Sequence, residues 1–182
     1  MMTSLTLCCT VSILLCCYLT QQQVEGQRFE IMDIKSHVNR EKIAIKTIIH
    51  DNGTKFDIHI TLLNPLKTHD LLMCLRLKQK IELSTNYRNI FQLRRIDVCK
   101  FLANNYQKYL TQSLFKIAPS LLSQLECPIK PGDYHITNLT VEANPLVNTL
   151  EPGYYRFYVE VAQVSSSAVK LLDMQITTLY QL

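Results

Sequence analysis

The sequence predicts a mainly β protein, an antiparallel β-cup or sandwich of about eight strands with one inserted helical segment, about residues 98–125. Three observations predict it. Apolar and polar residues alternate with a period of two in several separate runs, as in strands with one buried and one wet face. After Asp97 that period gives way to spacings of three and four, the pattern of an amphipathic helix. Between two of the alternating runs stands Asp51-Asn52-Gly53-Thr54, a hairpin signal because Asn and Gly accept the positive φ of tight turns.

Each element follows from its own residues. Phe29–Lys35 is a short first strand. Lys42–His50 and Lys55–Leu63 flank the turn, and in the second of these Phe56, Ile58, Ile60 and Leu62 alternate with Asp57, His59 and Thr61. Leu71, Met73, Leu75 and Leu77 alternate with Cys74, Arg76 and Lys78, and a less regular strand covers Ile90–Ile96. Asp97 suits a helix N-cap. Behind it Cys99, Leu102, Tyr106, Tyr109, Leu110, Leu114, Ile117 and Leu121 recur at helical spacing. Pro119 predicts a break or kink near Ala118, since its ring lacks a donor and clashes with the preceding turn. Strands resume at Tyr134–Val141. Tyr154–Ala162 follows, with Tyr155, Phe157, Val159 and Val161 on one face. Lys170–Tyr180 is the last, with Leu172, Met174, Ile176 and Thr178 on one face.

The N-terminus predicts a route out of the cell. Leu5 to Leu19 is apolar or small with no charge, and Gln21, Gln22 and Gln23 follow. The run is shorter than the roughly 20 apolar residues a membrane span needs. It fits the hydrophobic region of a secretory signal, with Val24-Glu25-Gly26 near the cleavage point, although no Lys or Arg precedes it. The expected organisation is a signal peptide over 1–26 and one secreted, extracellular domain over 27–182, long enough to bury a core. Four of the seven cysteines (Cys8, Cys9, Cys16, Cys17) leave with the signal. Of Cys74, Cys99 and Cys127, the pair expected to bond is Cys99–Cys127, because the segment between them reads as a helix whose ends must be held to a sheet. Closing such a loop contributes about 3–4 kcal/mol in the chain-entropy picture. Cys74 is left as a buried free thiol or a bridge to a second chain. Two sequons, Asn52-Gly53-Thr54 and Asn138-Leu139-Thr140, are expected glycosylation sites, Asn52 more so for its place in a turn.

The net charge is +4, with Lys and Arg dispersed. Arg76, Lys78 and Lys80 share a strand face and Arg94 adjoins Arg95, which suits either a solvated face or an anionic head group or surface. Nucleic acid is no partner for an exported chain. No catalytic motif stands out: there is no Gly-x-Ser-x-Gly elbow, no His-Glu-x-x-His and no phosphate loop. His50 and His59 flank the hairpin, but nothing supplies a third ligand at metal spacing. The sequence predicts no enzyme, no metal and no cofactor.

Three segments carry a resemblance. They are Arg94-Arg95-Ile96-Asp97-Val98-Cys99-Lys100-Phe101-Leu102, then Cys127-Pro128-Ile129-Lys130-Pro131-Gly132-Asp133-Tyr134, then Pro152-Gly153-Tyr154-Tyr155-Arg156-Phe157. In order and spacing the chain, over roughly Lys42 to Tyr180, resembles a large family of small secreted insect proteins, mostly uncharacterised, that includes the CheA/CheB chemosensory proteins. That family is itself similar to the ganglioside-activator protein and, more distantly, to lipid-recognition ML domains. The resemblance implies a β-cup with an inserted helix and a hydrophobic guest: a lipid, a hydrocarbon or a pheromone. Ganglioside activators carry more disulfides than this chain can form, so their ligand is not carried over.

The candidate lining of an apolar cavity is Phe56, Ile58, Ile60, Met73, Leu75, Leu77, Phe157, Val159, Met174 and Ile176; the same residues would equally fill a closed core. Two functions follow. The first is a secreted carrier or presenter of a small apolar ligand, in chemosensation, meeting an extracellular receptor or a membrane surface. The second is a secreted structural or interaction module with a filled core, monomeric or disulfide-linked through Cys74.

Overall fold

A computed structural model describes residues 28–66, 70–103, 127–140, 150–164 and 168–181. Among these lie eight strands: β1 Arg28–Val38, β2 Ile43–His50, β3 Lys55–Leu62, β4 Leu71–Lys80, β5 Tyr87–Asp97, β6 Gly132–Leu139, β7 Gly153–Val164 and β8 Ala168–Gln181. They form two antiparallel sheets, one of five strands in the order β1-β8-β7-β4-β5 and one of three in the order β2-β3-β6. All eight predicted strands are present, and the sheets do not close into a barrel.

The boundaries moved where local pattern is weakest. β1 runs on to Val38, because its far half pairs with β8 as far as Val38 opposite Leu172. β5 starts at Tyr87 and shifts register against β4 twice, and Arg95 takes a left-handed backbone with φ 56°. Those shifts are why its alternation is irregular in sequence. One helix, α1, is described over Val98–Ala103. Asp97 caps it as expected, its Oδ1 accepting the Lys100 N–H at 3.0 Å. The remainder of the predicted helix, with the break at Pro119, lies outside the described residues, as do Val141 and the expected signal.

The turn between β2 and β3 is a short 3-10 segment, Asp51–Gly53. Asp51, Asn52 and Gly53 all have positive φ, of 48°, 53° and 83°. Such backbone strains residues with a side chain and suits glycine. Gly53 is needed for a second reason: a Cβ there would stand 2.8 Å from the Ile31 carbonyl oxygen. The turn of the small sheet therefore sits directly on the first strand of the large one.

The two sheets face each other across a shared core. Phe29, Ile31, Leu77, Tyr155, Phe157, Met174, Ile176 and Tyr180 come from the large sheet, and Phe56, Ile58 and Leu139 from the small one. Fully burying an aliphatic or aromatic side chain of this size contributes about 1.5–3 kcal/mol over leaving it in water. Phe29 stacks on Tyr180 at 4.6 Å between centroids and meets Tyr155 and Phe157 edge-on. A second cluster, Ile43, Leu62, Leu66, Leu71 and Leu171, fills the other end. The Cys99–Cys127 disulfide is formed, with Cα atoms 5.8 Å apart.

Candidate functional site

The strand register arranges the inner face of the large sheet in rows. Leu77 pairs with Phe157 and Phe157 with Ile176; one step along, Leu75 pairs with Val159 and Val159 with Met174; the next row is Met73, Val161 and Leu172. On the small sheet Ile45 pairs with Ile60 and Ile60 with Tyr134, and Thr47 pairs with Ile58 and Ile58 with Ile136. Eight of the ten predicted lining residues thus gather round one core. Phe56, Ile58, Leu77, Phe157, Met174 and Ile176 are buried in it, and Ile60 and Val159 pack against it half-buried. Met73 and Leu75 share that face and are also half-buried, but they belong to neither buried cluster. Burial is therefore uneven. The Leu77 row is sealed, and beyond it aliphatic groups on the inner face keep part of their surface in contact with solvent.

A cleft of about 430 Å3 opens where the edge strands of the two sheets, β1 and β2, part company. It is lined by Ser36, His37, Val38, Arg40, Ile43, Ala44 and Ile45. None of these was singled out by the sequence. Their signal, a polar turn between two alternating strands, is common to many loops. The residues at its back reach the interior: Ser36 pairs with Met174 and Val38 with Leu172, and Ile45 packs against the main core. Its rim is polar, with His37 and Arg40. Nearby, Lys42 Nζ donates to the buried Gln163 Oε1 at 2.9 Å, fixing the turn on the end of β7. The arrangement offers an apolar wall and a cationic lip.

Several titratable side chains elsewhere have structural partners. Asp57 accepts from the Asn138 N–H at 2.8 Å and pairs with His50 Nε2 at 2.8 Å. The Asn138 bond and His50 together hold its carboxyl below the ordinary aspartate range. His59 faces His135 across β3 and β6, edge to face at 4.6 Å. His50 and His59 therefore take separate partners. Among the described residues no group of three or more His, Cys, Asp or Glu is placed to hold a metal. Burial pushes the Tyr155 phenol up to about 12, while its hydroxyl donates to the Glu151 carbonyl at 2.6 Å. Tyr180 is raised as well, also by burial.

Cys74 is a free, half-buried thiol on the outer face, 3.8 Å from Gln92 Nε2. Asn52 and Asn138 are both exposed on left-handed backbone. Among the described residues no helix is long and apolar enough to cross a membrane.

Fold and cleft together define a two-sheet antiparallel β protein with a side opening between its sheets. Residues 73–157 match the model of a family described as protein of unknown function (DUF1091), which makes the chain similar to that family over rather less than half its length. The matched stretch runs from β4 into β7 and contains both cysteines of the disulfide. Comparison with curated proteins gives no match.

Proposed function

We propose that this is a secreted protein that carries or presents a small apolar molecule, a lipid, hydrocarbon or pheromone-like compound, held between its two sheets and admitted at the β1–β2 side. The observation that carries the reading is the uneven burial of the inner face: it is sealed at the Leu77–Phe157–Ile176 row and again at Leu71 and Leu171, while Met73, Leu75, Val159 and Val161 between them are only half-buried. An opening of about 430 Å3 falls within the range of small-molecule sites, about 300–1,000 Å3. Arg40 and His37 at the lip favour a guest with an apolar body and one polar head. The resemblance to chemosensory and lipid-recognition proteins points the same way, and a role in chemosensation follows from it. Glycans on Asn52 and Asn138, and a signal ending near Gly26, belong to the same proposal.

The test is saturable binding. Delipidated protein should enhance an apolar fluorescent probe to a plateau, and a long-chain fatty acid or alcohol should compete it away. Ile45→Trp, which fills the mouth, should weaken the plateau while circular dichroism stays native. A linear, non-competable response would defeat the proposal. A second reading, a filled scaffold linked into dimers through Cys74, draws support from the half-buried thiol on the outer face. Non-reducing electrophoresis decides it: a dimer abolished by Cys74→Ser supports the scaffold, and a clean monomer removes it.

A further inference from the structure

The outer face of the large sheet carries cations that the fold leaves without carboxylate partners. Lys78 of β4 stands directly opposite Arg156 of β7, and like charges in directly paired positions destabilise a sheet. Lys80 and Arg76 flank Lys78 on the same face of β4. Beneath and between these cations lie tyrosines. The Arg156 guanidinium sits 3.9 Å over the Tyr87 ring. Arg76 and Lys78 sit 5.2 and 5.3 Å over Tyr158, and Lys80 lies 5.2 Å over Tyr154. Glu160 takes Arg76 at 3.3 Å and Lys170 at 3.5 Å. Among the described residues no carboxylate pairs with Lys78, Lys80 or Arg156. The Arg156 Nε is buried without an acceptor.

We propose that this face, Arg76, Lys78, Lys80 and Arg156 on a bed of Tyr87, Tyr154 and Tyr158, binds a linear anionic polysaccharide. Sulfate or carboxylate groups would take the cations, and sugar rings would lie on the tyrosines. Successive side chains on one face of a strand are about 6.7 Å apart, so Lys80 to Arg76 spans about 13 Å, a length suited to a short run of charged sugars. Arginines stacked on aromatic rings keep their edge donors for planar, bidentate acceptors.

Two other partners fit less well. A bilayer is a plane, and laid on this face it would also meet Glu30, unpaired among the described residues, beside Asp33 and Asp173 already held by Lys35 and Lys170; the three acids lie on the same side of β1 and β8. A thin chain along β4 and β7 avoids them. An extended acidic peptide would gain no main-chain bonds, because β4 and β7 are interior strands with both edges already paired.

The test uses the full secreted protein and a heparin-derived octasaccharide, with affinity measured calorimetrically across NaCl concentrations. The three cations without a carboxylate, Lys78, Lys80 and Arg156, should give a log–log salt slope of about 2, by analogy with other polyanions. Lys78→Gln combined with Arg156→Gln should weaken binding at least tenfold and lower the slope by more than one. Lys78→Arg should retain affinity. Lys46→Gln with Lys55→Gln, equal in charge but on the small sheet, should stay within twofold. Circular dichroism, the intact disulfide and unchanged binding of the apolar probe show that the variants are folded, and they keep this result separate from the carrier proposal. Equal losses in the two double variants would reduce the effect to net charge and overturn the assignment. So would an octasaccharide that fails to bind while phosphatidylcholine–phosphatidylserine vesicles do.

Discussion

Replacing Gly53 with alanine should cost the fold about 2–3 kcal/mol, far more than its place in a surface turn suggests. Two effects add. The backbone at φ +83° lies where a Cβ strains the chain by roughly 1–2 kcal/mol. The new Cβ would also stand 2.8 Å from the Ile31 carbonyl oxygen and 3.2 Å from the Ile31 nitrogen. Those are backbone atoms of a paired strand and cannot rotate away, so β1 or the turn must move, at a cost of about 1–3 kcal/mol for overpacking. Alanine's smaller unfolded-state freedom returns about 0.4–1 kcal/mol. With a urea m-value of about 1–3 kcal/mol/M, the midpoint should fall by about 1–2 M with the slope unchanged. Gly153→Ala is the control: its φ is +146° and nothing lies within 4 Å of its added Cβ, so it carries strain without contact. The reasoning fails if Gly53→Ala moves the midpoint no further than Gly153→Ala does.

Three further outcomes are expected. The bonded cysteines are 28 residues apart; removing the pair by Cys99→Ser with Cys127→Ser should lower stability by about 3.5 kcal/mol, and peptide mapping of the unreduced protein should recover those two joined. Asp57, with its carboxyl held below 3.8, binds a proton less readily folded than unfolded. Its stabilisation is therefore complete above the unfolded value and lost as pH falls through the lower folded one, and Asp57→Asn should flatten that acid limb in denaturant titrations. Tyr155, raised to about 12, works in the opposite direction: stability should be full below pH 10 and decline toward pH 12. Ultraviolet difference titration should show Tyr155 and Tyr180 ionising late, with the Tyr155 contribution lost in Tyr155→Phe.

The strands were legible because alternation is local: Phe56 to Leu62 and Tyr155 to Val161 declare their buried face in a few residues. The helix start was legible for the same reason, through the single cap at Asp97. What no short window reveals is which strands become neighbours. Leu77 lies beside Phe157 because β7 pairs with β4, an order set by the global topology. The pairing of Lys78 with Arg156 depends on that same order, so three of the four outer cations were visible in sequence and the fourth, Arg156, was not. The cleft residues from Ser36 to Ile45 escaped notice because a cavity is made by the divergence of two sheets, and divergence leaves no periodic mark. Six of the ten proposed lining residues are deeply buried, since hydrophobic alternation reports the inward direction and not whether the space beyond is occupied.

The disulfide has a consequence for how the sandwich can open. On one flank the sheets are joined by the four-residue connection between Val38 and Ile43. On the other, Cys99 follows β5 and Cys127 precedes β6, so a covalent clasp ties the outermost strand of the large sheet to the outermost strand of the small one. The halves resemble a purse hinged on one side and buttoned on the other, so that a covalent link opposes separation of the sheets at either flank. Unfastening the button with a reductant would leave the link between β5 and β6 to the peptide chain alone.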